Sequence, residues 1–261
     1  MKSKRRFPLT SLISFCGLSW LLWLVANSFL RLDYDWDFWG VLGFFWTDGE
    51  PGILFQGLWC TIWISLVSII FGSILGFFMG LALNSRDFVL RKSAVCFVEI
   101  FRNTPVLVQL YVLYFVVGTA FSWSPEVSGI VCLSLFCSAY LAEILRSAII
   151  HLEKGQIEAS KSLGLSSLMI MRFVAGPQIL RRVLPSWIGQ YVSLVKDSSL
   201  VSVISIMELT KAASSVVAAS FRSFETWFVV ALVYFILNFC ISKLGRLLEN
   251  YLSRDLKPIG K

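Results

Sequence analysis

Long apolar runs without charged residues, separated by short polar segments, dominate this sequence. The first extends from Phe7 to Leu30, and a second extends from Pro51 to Ser85. A helix rises about 1.5 Å per residue, so a run of this length can cross a hydrocarbon core about 30 Å thick. The complete pattern predicts an all-α membrane protein with six transmembrane helices, at about residues 7–30, 54–83, 94–117, 127–149, 184–207 and 226–242.

The first run has a rival interpretation as a secretory signal peptide, because Ala26-Asn27-Ser28 offers small residues at the spacing of a cleavage site. The apolar stretch is longer than the core of about 7–15 residues that signal peptides usually have. We therefore expect an uncleaved span. The next segment, 31–51, is rich in acidic residues, tryptophan and tyrosine, which is typical of an interfacial loop on the outer face.

Composition supports the membrane prediction and bears on orientation. Apolar residues make up 57% of the 261 residues and charged residues only 15%, so a soluble globular domain is excluded. The net charge of +7 would suggest nucleic-acid binding in a soluble protein. With a cytoplasmic N-terminus, however, eighteen of the 23 lysines and arginines fall in cytoplasmic segments. The positive-inside rule therefore predicts that both termini are cytoplasmic.

Few side chains in this sequence could bind a metal or run a reaction. The six cysteines all lie in apolar runs without a C-x-x-C pair, and His151 is the only histidine. Zinc sites and disulfide frameworks need clustered ligands, so we expect no metal site and interpret the cysteines as small buried residues. Without a clustered nucleophile and base, we also expect no catalytic residues and no enzyme activity.

The second predicted span carries a regular glycine spacing. Gly72, Gly76 and Gly80 recur every four residues and therefore share one helix face. Small residues at this spacing let a neighbouring helix approach backbone to backbone. The face could be a static packing seam or a sliding surface used in gating, and the spacing is compatible with both.

A polar, basic segment lies between apolar runs from Gly155 to Pro177. Gly155 can start a short helix, Glu158 would lie in its first turn, where the helix dipole favours an anion, and Gly164 would end it. The pattern predicts a helix outside the membrane that another protein binds. An ordinary loop helix without a partner is the alternative.

This segment resembles the coupling motif, often called the EAA motif, of the permease subunits of bacterial ABC importers. The motif has Glu-Ala-Ala, followed after three residues by Gly and after nine more by Ile-x-Leu-Pro. The positions that match here are Glu158, Ala159, Gly164, Val174 and Pro177, with Ser160 standing for the third motif residue and Gly176 for the leucine.

Three further segments are similar to the polar amino acid branch of these permeases, and the resemblance covers about residues 54–252. They are Glu99-Ile100-Phe101-Arg102-Asn103-Thr104-Pro105 with Val108-Gln109, Ala139-Tyr140-Leu141-Ala142-Glu143-Ile144-Leu145-Arg146, and Leu194-Val195-Lys196-Asp197-Ser198-Ser199-Leu200. The chain departs from the branch at Ser160, at Gly176 and at Glu153, where proline is common.

The resemblance implies three regions. Residues 1–53 would hold the first transmembrane helix and the acidic, aromatic outer loop. Residues 54–252 would form the five-helix core of a type I importer, with a cytoplasmic coupling loop at residues 150–183. Residues 253–261 would form a basic cytoplasmic tail.

It also implies partners in the bacterial inner membrane. The chain would pair with a second permease subunit, identical or homologous, would bind a separate ATPase subunit and would receive substrate from an extracytoplasmic binding protein. ATP and magnesium would be held by the ATPase and no cofactor by this chain, which lacks a G-x-x-x-x-G-K-[ST] phosphate loop. The ATPase-coupling residues implied are Gly155, Glu158, Ala159, Ser160, Gly164 and Pro177.

Polar residues within the predicted spans are the candidates for the substrate pathway, because ionisable groups in a membrane are costly. The basic candidates, which could attract the carboxylate of an amino acid, are Arg102 and Lys196. The acidic candidates, which could balance them or bind the ammonium group, are Glu99, Glu143 and Asp197. The neutral candidates for hydrogen bonding are Asn103, Thr104, Gln109 and Ser198.

The same residues could instead have a structural role. Glu99 and Arg102 are three residues apart and could pair on one helix face, and Lys196 could pair with its neighbour and a group on another helix. Pro105 should break or kink the third span and leave carbonyls near residue 101 in need of other donors.

A self-sufficient ion-coupled carrier or channel is the alternative function. It would use the group Glu99, Arg102, Lys196 and Asp197 as its coupling site. A carrier needs no helix for binding an ATPase and often has paired inverted halves, which the sequence does not reveal. We therefore expect an ABC importer permease that forms the membrane pathway for a polar amino acid and is coupled to the ATPase through the Glu158–Pro177 loop.

Overall fold

The computed structural model describes residues 34–47 and 49–254, with residue 17 and residues 19–21, 23–24 and 27–28. Most of the first predicted span and most of the predicted tail therefore lie outside the described residues. The chain divides into two compact units, residues 1–37 and 38–261. The second unit begins with the short helix α1 (Phe38–Gly43) and a small hairpin, in which β1 (Trp46–Thr47) pairs antiparallel with β2 (Glu50–Pro51).

Helices form nearly all of the remaining described residues, which confirms the predicted all-α class. Their bounds are α2 (Ile53–Leu83), α3 (Phe88–Asn103), α4 (Val106–Tyr111), α5 (Thr119–Phe121), α6 (Pro125–Ile150), α7 (Lys154–Ser162), α8 (Ser167–Ile170), α9 (Gly176–Asp197), α10 (Leu209–Ser220) and α11 (Ser223–Arg254). Two π-helical segments, Val112–Gly118 and Met171–Ala175, join α4 to α5 and α8 to α9, and a 3₁₀ segment, Ser198–Ile204, follows α9.

Among the described residues, α2, α6 and residues 223–249 of α11 are long and apolar enough to cross a membrane. Two helix pairs also have the composition of a span but are bent: α3 with residues 106–121 by 107°, and residues 167–204 with α10 by 54°. If each bent pair is one span, the described chain has five. They occupy the positions predicted for the second to sixth spans, with α9 and α11 starting earlier than predicted.

The third span departs from the prediction, because residues 94–117 do not form one continuous helix. α3 ends at Asn103, and the chain turns through 107° before α4. Pro105 has no N–H for the carbonyl of Phe101, four residues earlier. The Gln109 side chain provides the missing donor, since its Nε2 donates to Phe101 O and to Thr104 O, each at 2.9 Å. The predicted need for a substitute donor near residue 101 is confirmed.

The bend lets α3 lie against the C-terminal ends of α2 and α6 instead of continuing as a span. Its inward face has the small residue Ala94 one turn before Val98, and both are buried. The buried residues that meet in this cluster are Ala82, Leu83, Ala94, Val98, Ala139 and Ala142.

α2 and α6 form the most extensive helix pair in the described chain, and the glycines of the predicted seam line it. A Cβ atom on Gly76 would lie 2.8 Å from Leu141 Cβ and 3.0 Å from Ser138 O. These distances are shorter than ordinary van der Waals contact, so the backbones can approach this closely only because the side chain is absent.

The same contacts set the direction of the two helices. Gly72 lies against Cys137, and Gly80 lies against Leu145. Because the partners on α6 advance with the glycines on α2, the helices run parallel. The C-terminal ends of α2 and α6 therefore lie on the same side of the helix bundle, together with the segments that follow them.

A buried carboxylate fixes the start of α10. Glu208 is fully buried, and its two oxygens accept hydrogen bonds from the backbone N–H groups of Thr210 and Lys211, each at 2.8 Å. The hydroxyl of Tyr234 on α11 donates to Glu208 Oε2 at 2.9 Å. A carboxylate here satisfies backbone donors that the helix leaves unpaired and is favoured by the helix dipole. Glu208 thus links α10 to α11.

Replacement of Gly76 by alanine should lower the free energy of unfolding by about 1–3 kcal/mol, because the seam has no room for the added methyl group. Gly189→Ala in α9 is the matched control, since a Cβ there would meet no atom within 4 Å. Alanine should stabilise that helix by about 1 kcal/mol. Tryptophan fluorescence during unfolding of the detergent-purified chain measures both. Equal stability of the two variants would contradict a close-packed seam.

Glu208→Ala should lower the free energy of unfolding by about 2–4 kcal/mol, because two N–H groups and one buried hydroxyl lose their acceptor. Glu208→Gln should be milder, since an amide oxygen still accepts. The control is Asp87→Ala, which removes the exposed cap of α3, where the carboxylate accepts from Leu90 N at 2.7 Å. The same unfolding measurement applies. An Asp87→Ala effect as large as that of Glu208→Ala would disprove the special role of burial.

Candidate functional site

α7 is a short polar helix between the apolar helices α6 and α9. Glu158 and Ala159 are exposed, whereas Ser160 is buried and its hydroxyl donates to Gln156 O at 2.7 Å. The helix ends at Ser162, and Gly164 follows with a φ of +77°, a conformation that favours glycine. This is the helix end that the sequence predicts.

Two details differ from the predicted form of this segment. α7 begins at Lys154, so Glu158 lies beyond the first turn, and the predicted interaction with the helix dipole is wrong. Pro177 lies in the first turn of α9 and does not close an element, because proline is tolerated where a helix needs no N–H donor. Residues 150–183 are therefore largely helical and not an open loop.

Large apolar side chains next to α7 are exposed. Leu163, Leu168 and Phe173 have 81%, 78% and 67% of their surface accessible. They follow directly after the exposed polar residues of α7. Contact with lipid alone does not account for exposed apolar and exposed polar side chains so close together. Exposed apolar side chains beside polar ones are typical of a protein interface.

Side-chain contacts hold the start of α7 against the start of α9. Gln178 Nε2 donates to Gln156 Oε1 at 2.6 Å, and Gln156 Nε2 donates to Glu153 Oε2 at 2.9 Å. Arg182, one turn further along α9, donates to the backbone carbonyl of His151, just before α7. We call the Gln178–Gln156 bond the α7–α9 contact; the Arg182–His151 bond joins α9 to the C-cap of α6.

An ion cluster surrounds Glu143 of α6. Arg146 Nη1 lies 3.0 Å from Glu143 Oε1, and Arg102 Nη1 lies 3.7 Å from Glu143 Oε2. The guanidinium of Arg102 also lies over the Tyr140 ring, 5.3 Å from its centre. The predicted pairing of Arg102 with Glu99 is wrong, because the bend after α3 directs Arg102 towards α6.

Two cavities adjoin this cluster, and both are lined by Arg102, Tyr140 and Glu143. The larger, of about 710 Å³, is also lined by His151 and Arg182. The smaller, of about 290 Å³, also contains Glu99, Asn103 and Arg146. Charges of both signs line these walls, so the cavities can hold a small zwitterion or anion.

Three of the four neutral candidates donate hydrogen bonds to backbone carbonyls. Gln109 is buried and bonds to the carbonyls left open by Pro105. Thr104 donates to a carbonyl one turn earlier at 2.7 Å, and the fully buried Ser198 donates to another at 2.8 Å. Such bonds satisfy main-chain groups where helices are interrupted. Of the neutral candidates, Asn103 is the one that lines a cavity beside Glu143.

Lys196 lies at the far end of α9 from the α7–α9 contact, and neither cavity beside Glu143 includes it. It lines a cavity of about 340 Å³ with Ser199, Thr210 and Tyr234, and another of about 250 Å³. Within residues 34–47 and 49–254, Lys196 and Asp197 have no ion-pair partner within 4.0 Å. The structure thus separates the two basic candidates into different sites.

Sequence analysis missed Glu208 and Gln178. For Glu208 a signal existed, because an acidic residue beside the apolar stretch 200–207 and before a helix-forming run is a candidate helix cap at membrane depth. For Gln178 there was none, since its partner lies 22 residues away. Only the folded arrangement of α7 and α9 brings the two side chains together.

Comparison with known proteins assigns the chain to a family. The family described as "Binding-protein-dependent transport system inner membrane component" matches residues 72–254. The glutamine transport system permease protein GlnP of Escherichia coli (strain K12) is 35% identical over 211 residues, which cover 79% of this chain and 96% of the relative. The octopine transport system permease protein OccM of Rhizobium radiobacter is 32% identical over 206 residues, covering 75% and 84%.

Solved structures agree with these relatives. A crystal structure of an amino acid ABC transporter with histidines aligns with a TM-score of 0.75 and 30% identity, over 84% of this chain and 100% of that chain. The inward-facing MetNI methionine ABC transporter aligns with a TM-score of 0.66, over 77% and 96%, and at 21% identity it shows the shared fold alone. This chain therefore belongs to the family of binding-protein-dependent transport system inner membrane components, the permease subunits of ABC importers.

Proposed function

We propose that this chain forms the membrane pathway of an ATP-driven importer for a polar amino acid, and that α7 is the helix to which a cytoplasmic ATPase binds. The observation that carries the proposal is the exposed polar helix α7 beside the exposed apolar residues Leu163, Leu168 and Phe173. The relatives named for glutamine and octopine transport support the substrate class. The family consists of transport permeases, which argues against enzyme activity and against the self-sufficient carrier.

Parallel packing of α2 and α6 supports the orientation. It brings the end of α6, and with it α7, to the same side as the basic segment between α2 and α3 that holds Arg86, Arg91 and Lys92. Basic residues concentrate on the cytoplasmic side of membrane proteins. α7 then faces the cytoplasm, where an ATPase holding ATP and magnesium can reach it. The cytoplasmic position of both termini remains a prediction from the distribution of basic residues.

The proposed assembly has two permease subunits, an ATPase on each α7 and an extracytoplasmic binding protein that delivers the substrate. ATP-driven closure of the ATPases moves the two α7 helices as rigid bodies and switches the pathway between outward and inward access. The coupling residues are those of the motif, with Glu158 and Ala159 available to the partner and Ser160 packed inside.

Within this pathway we assign the substrate carboxylate to Lys196 and a structural role to Arg102. Arg102 already has Glu143, which it shares with Arg146, and the Tyr140 ring as partners. Lys196 lines two cavities and has no ion-pair partner among the described residues. A cation without a partner attracts an anionic group more strongly than one already paired.

Glu158→Lys should abolish co-purification of the ATPase and ATP-dependent amino acid uptake into proteoliposomes that contain all the partners, because it reverses the charge at the centre of the binding helix. Glu126→Lys, at the opposite end of α6, is the matched control and should keep the ATPase bound. Uptake driven by an ion gradient without any ATPase, and insensitive to Glu158→Lys, would refute the importer.

Lys196→Met should lower uptake by about tenfold or more while the ATPase stays bound, since a charge-assisted hydrogen bond to substrate is lost. Arg102→Met should mainly lower thermal stability, because it leaves Glu143 with one arginine fewer. Uptake kinetics and thermal unfolding of both variants distinguish the two roles. Normal uptake by Lys196→Met would reverse the assignment.

A further inference from the structure

The start of α9 is joined to α7 by side chains as well as by the chain itself. The α7–α9 contact is the hydrogen bond between Gln178 and Gln156 at 2.6 Å. Residues four apart in a helix lie on the same face, so Gln178 faces α7 while Arg182, one turn later, donates to the carbonyl of His151, the C-cap of α6. Gln156 is itself held by Glu153 at 2.9 Å.

Apolar packing on the adjacent face of α9 continues along α6. Val183 is buried against Leu145 and Ala148 of α6, with Ile179 packed beside them. The indole N–H of Trp187 donates to a backbone carbonyl of α6, that of Leu141, at 3.2 Å. α9 therefore contacts α6 from its middle to its C-terminal end and then contacts the start of α7.

The covalent connection from α7 to α9 is much less regular. It passes through Gly164 with a φ of +77°, the short helix α8 and the π-helical segment Met171–Ala175. Gly176 closes that segment, and a Cβ there would lie 2.5 Å from the Met171 carbonyl oxygen. π-Helical turns interrupt the regular hydrogen-bond ladder of an α-helix and often mark functional sites. The Gln178–Gln156 bond adds a direct link between α7 and α9 beside this connection.

We propose that Gln178 is a positioning residue that makes α7 and α9 move as one body during transport. The inference rests on the proposed role of α7 in binding the ATPase. α9 contains 22 residues, and at about 1.5 Å per residue it extends about 27 Å from Gln178 to Lys196, which lies beside Asp197 at its C-terminal end. A displacement of α7 is thereby delivered to the pathway residues at the other end of α9.

ATPase binding and the transmission of motion to α9 depend on different side chains of α7. Glu158 and Ala159 are exposed on α7, whereas Gln156 is bonded to α9. Loss of the α7–α9 contact should therefore leave the ATPase-binding surface intact. The ATPase would bind and hydrolyse ATP, but α9 would follow α7 incompletely, so fewer substrate molecules would be moved for each ATP.

Gln178→Leu tests this in proteoliposomes that contain the complete importer. Uptake per ATP hydrolysed should fall by about fivefold, the factor that corresponds to one net hydrogen bond, while co-purification of the ATPase stays at the wild-type level. Gln190→Leu, in the same helix but three turns away from α7, is the matched control and should leave the ratio unchanged. A leucine effect on membrane insertion would affect both variants.

The double variant Gln156→Lys with Gln178→Glu replaces the hydrogen bond by an ion pair and lets the new lysine keep Glu153 as a neighbour. It should restore uptake per ATP to within about twofold of wild type, since an exposed ion pair is of similar strength to the bond it replaces. Each single charged variant should lower the ratio.

Unchanged uptake per ATP in Gln178→Leu would overturn the inference and leave the proposed function intact. Loss of ATPase binding in that variant would also overturn it, because Gln178 would then shape the binding surface instead of transmitting motion. If the wild-type chain fails to bind the ATPase, the proposed function fails and this inference fails with it.

Discussion

The close parallel contact of α2 and α6 is the constraint on which the remaining arrangement depends. Three glycines remove the side chains that would hold the backbones apart, so the register of one helix on the other is fixed within narrow limits. α3 and α7 both begin shortly after the ends of this pair. Their positions, and the reach of Arg102 from α3 to Glu143 on α6, follow from that register.

Helix interruptions impose a second constraint. Where a helix is interrupted, main-chain N–H and C=O groups lose their helical partners, and apolar surroundings offer no replacement. Two of the interruptions have a polar side chain that bonds to these main-chain groups. Gln109 serves the carbonyls before Pro105, and Glu208 serves the N–H groups at the start of α10. Some polar residues in these spans bond to unpaired main-chain groups, and others are candidates to line the substrate pathway. Residue type alone does not show which role a given residue has.

The sequence predicted those features that depend on local pattern. Apolar runs located the spans, the glycine spacing identified a packing face, and Gly164 marked the end of α7. Features that depend on which helix lies beside which were beyond it. By spacing, Glu99 was a possible partner for Arg102, and only the folded arrangement with its 107° bend brings Arg102 to Glu143.

The same distinction applies to the candidate site. The coupling motif could be located because its residues are consecutive in the chain, whereas the bond between Gln156 and Gln178 joins residues from different helices. Lys196 and Arg102 looked equivalent as isolated cations in apolar runs. The folded structure shows that their surroundings differ, because Lys196 lies at the end of α9 and lines a different cavity from Arg102.

The exposed side chains of Leu163, Leu168 and Phe173 also have a consequence for biosynthesis. A subunit made in excess of its partner leaves an adhesive apolar surface open to water, and such surfaces promote self-association. If α7 binds an ATPase as proposed, production of the two subunits in balanced amounts keeps this surface covered.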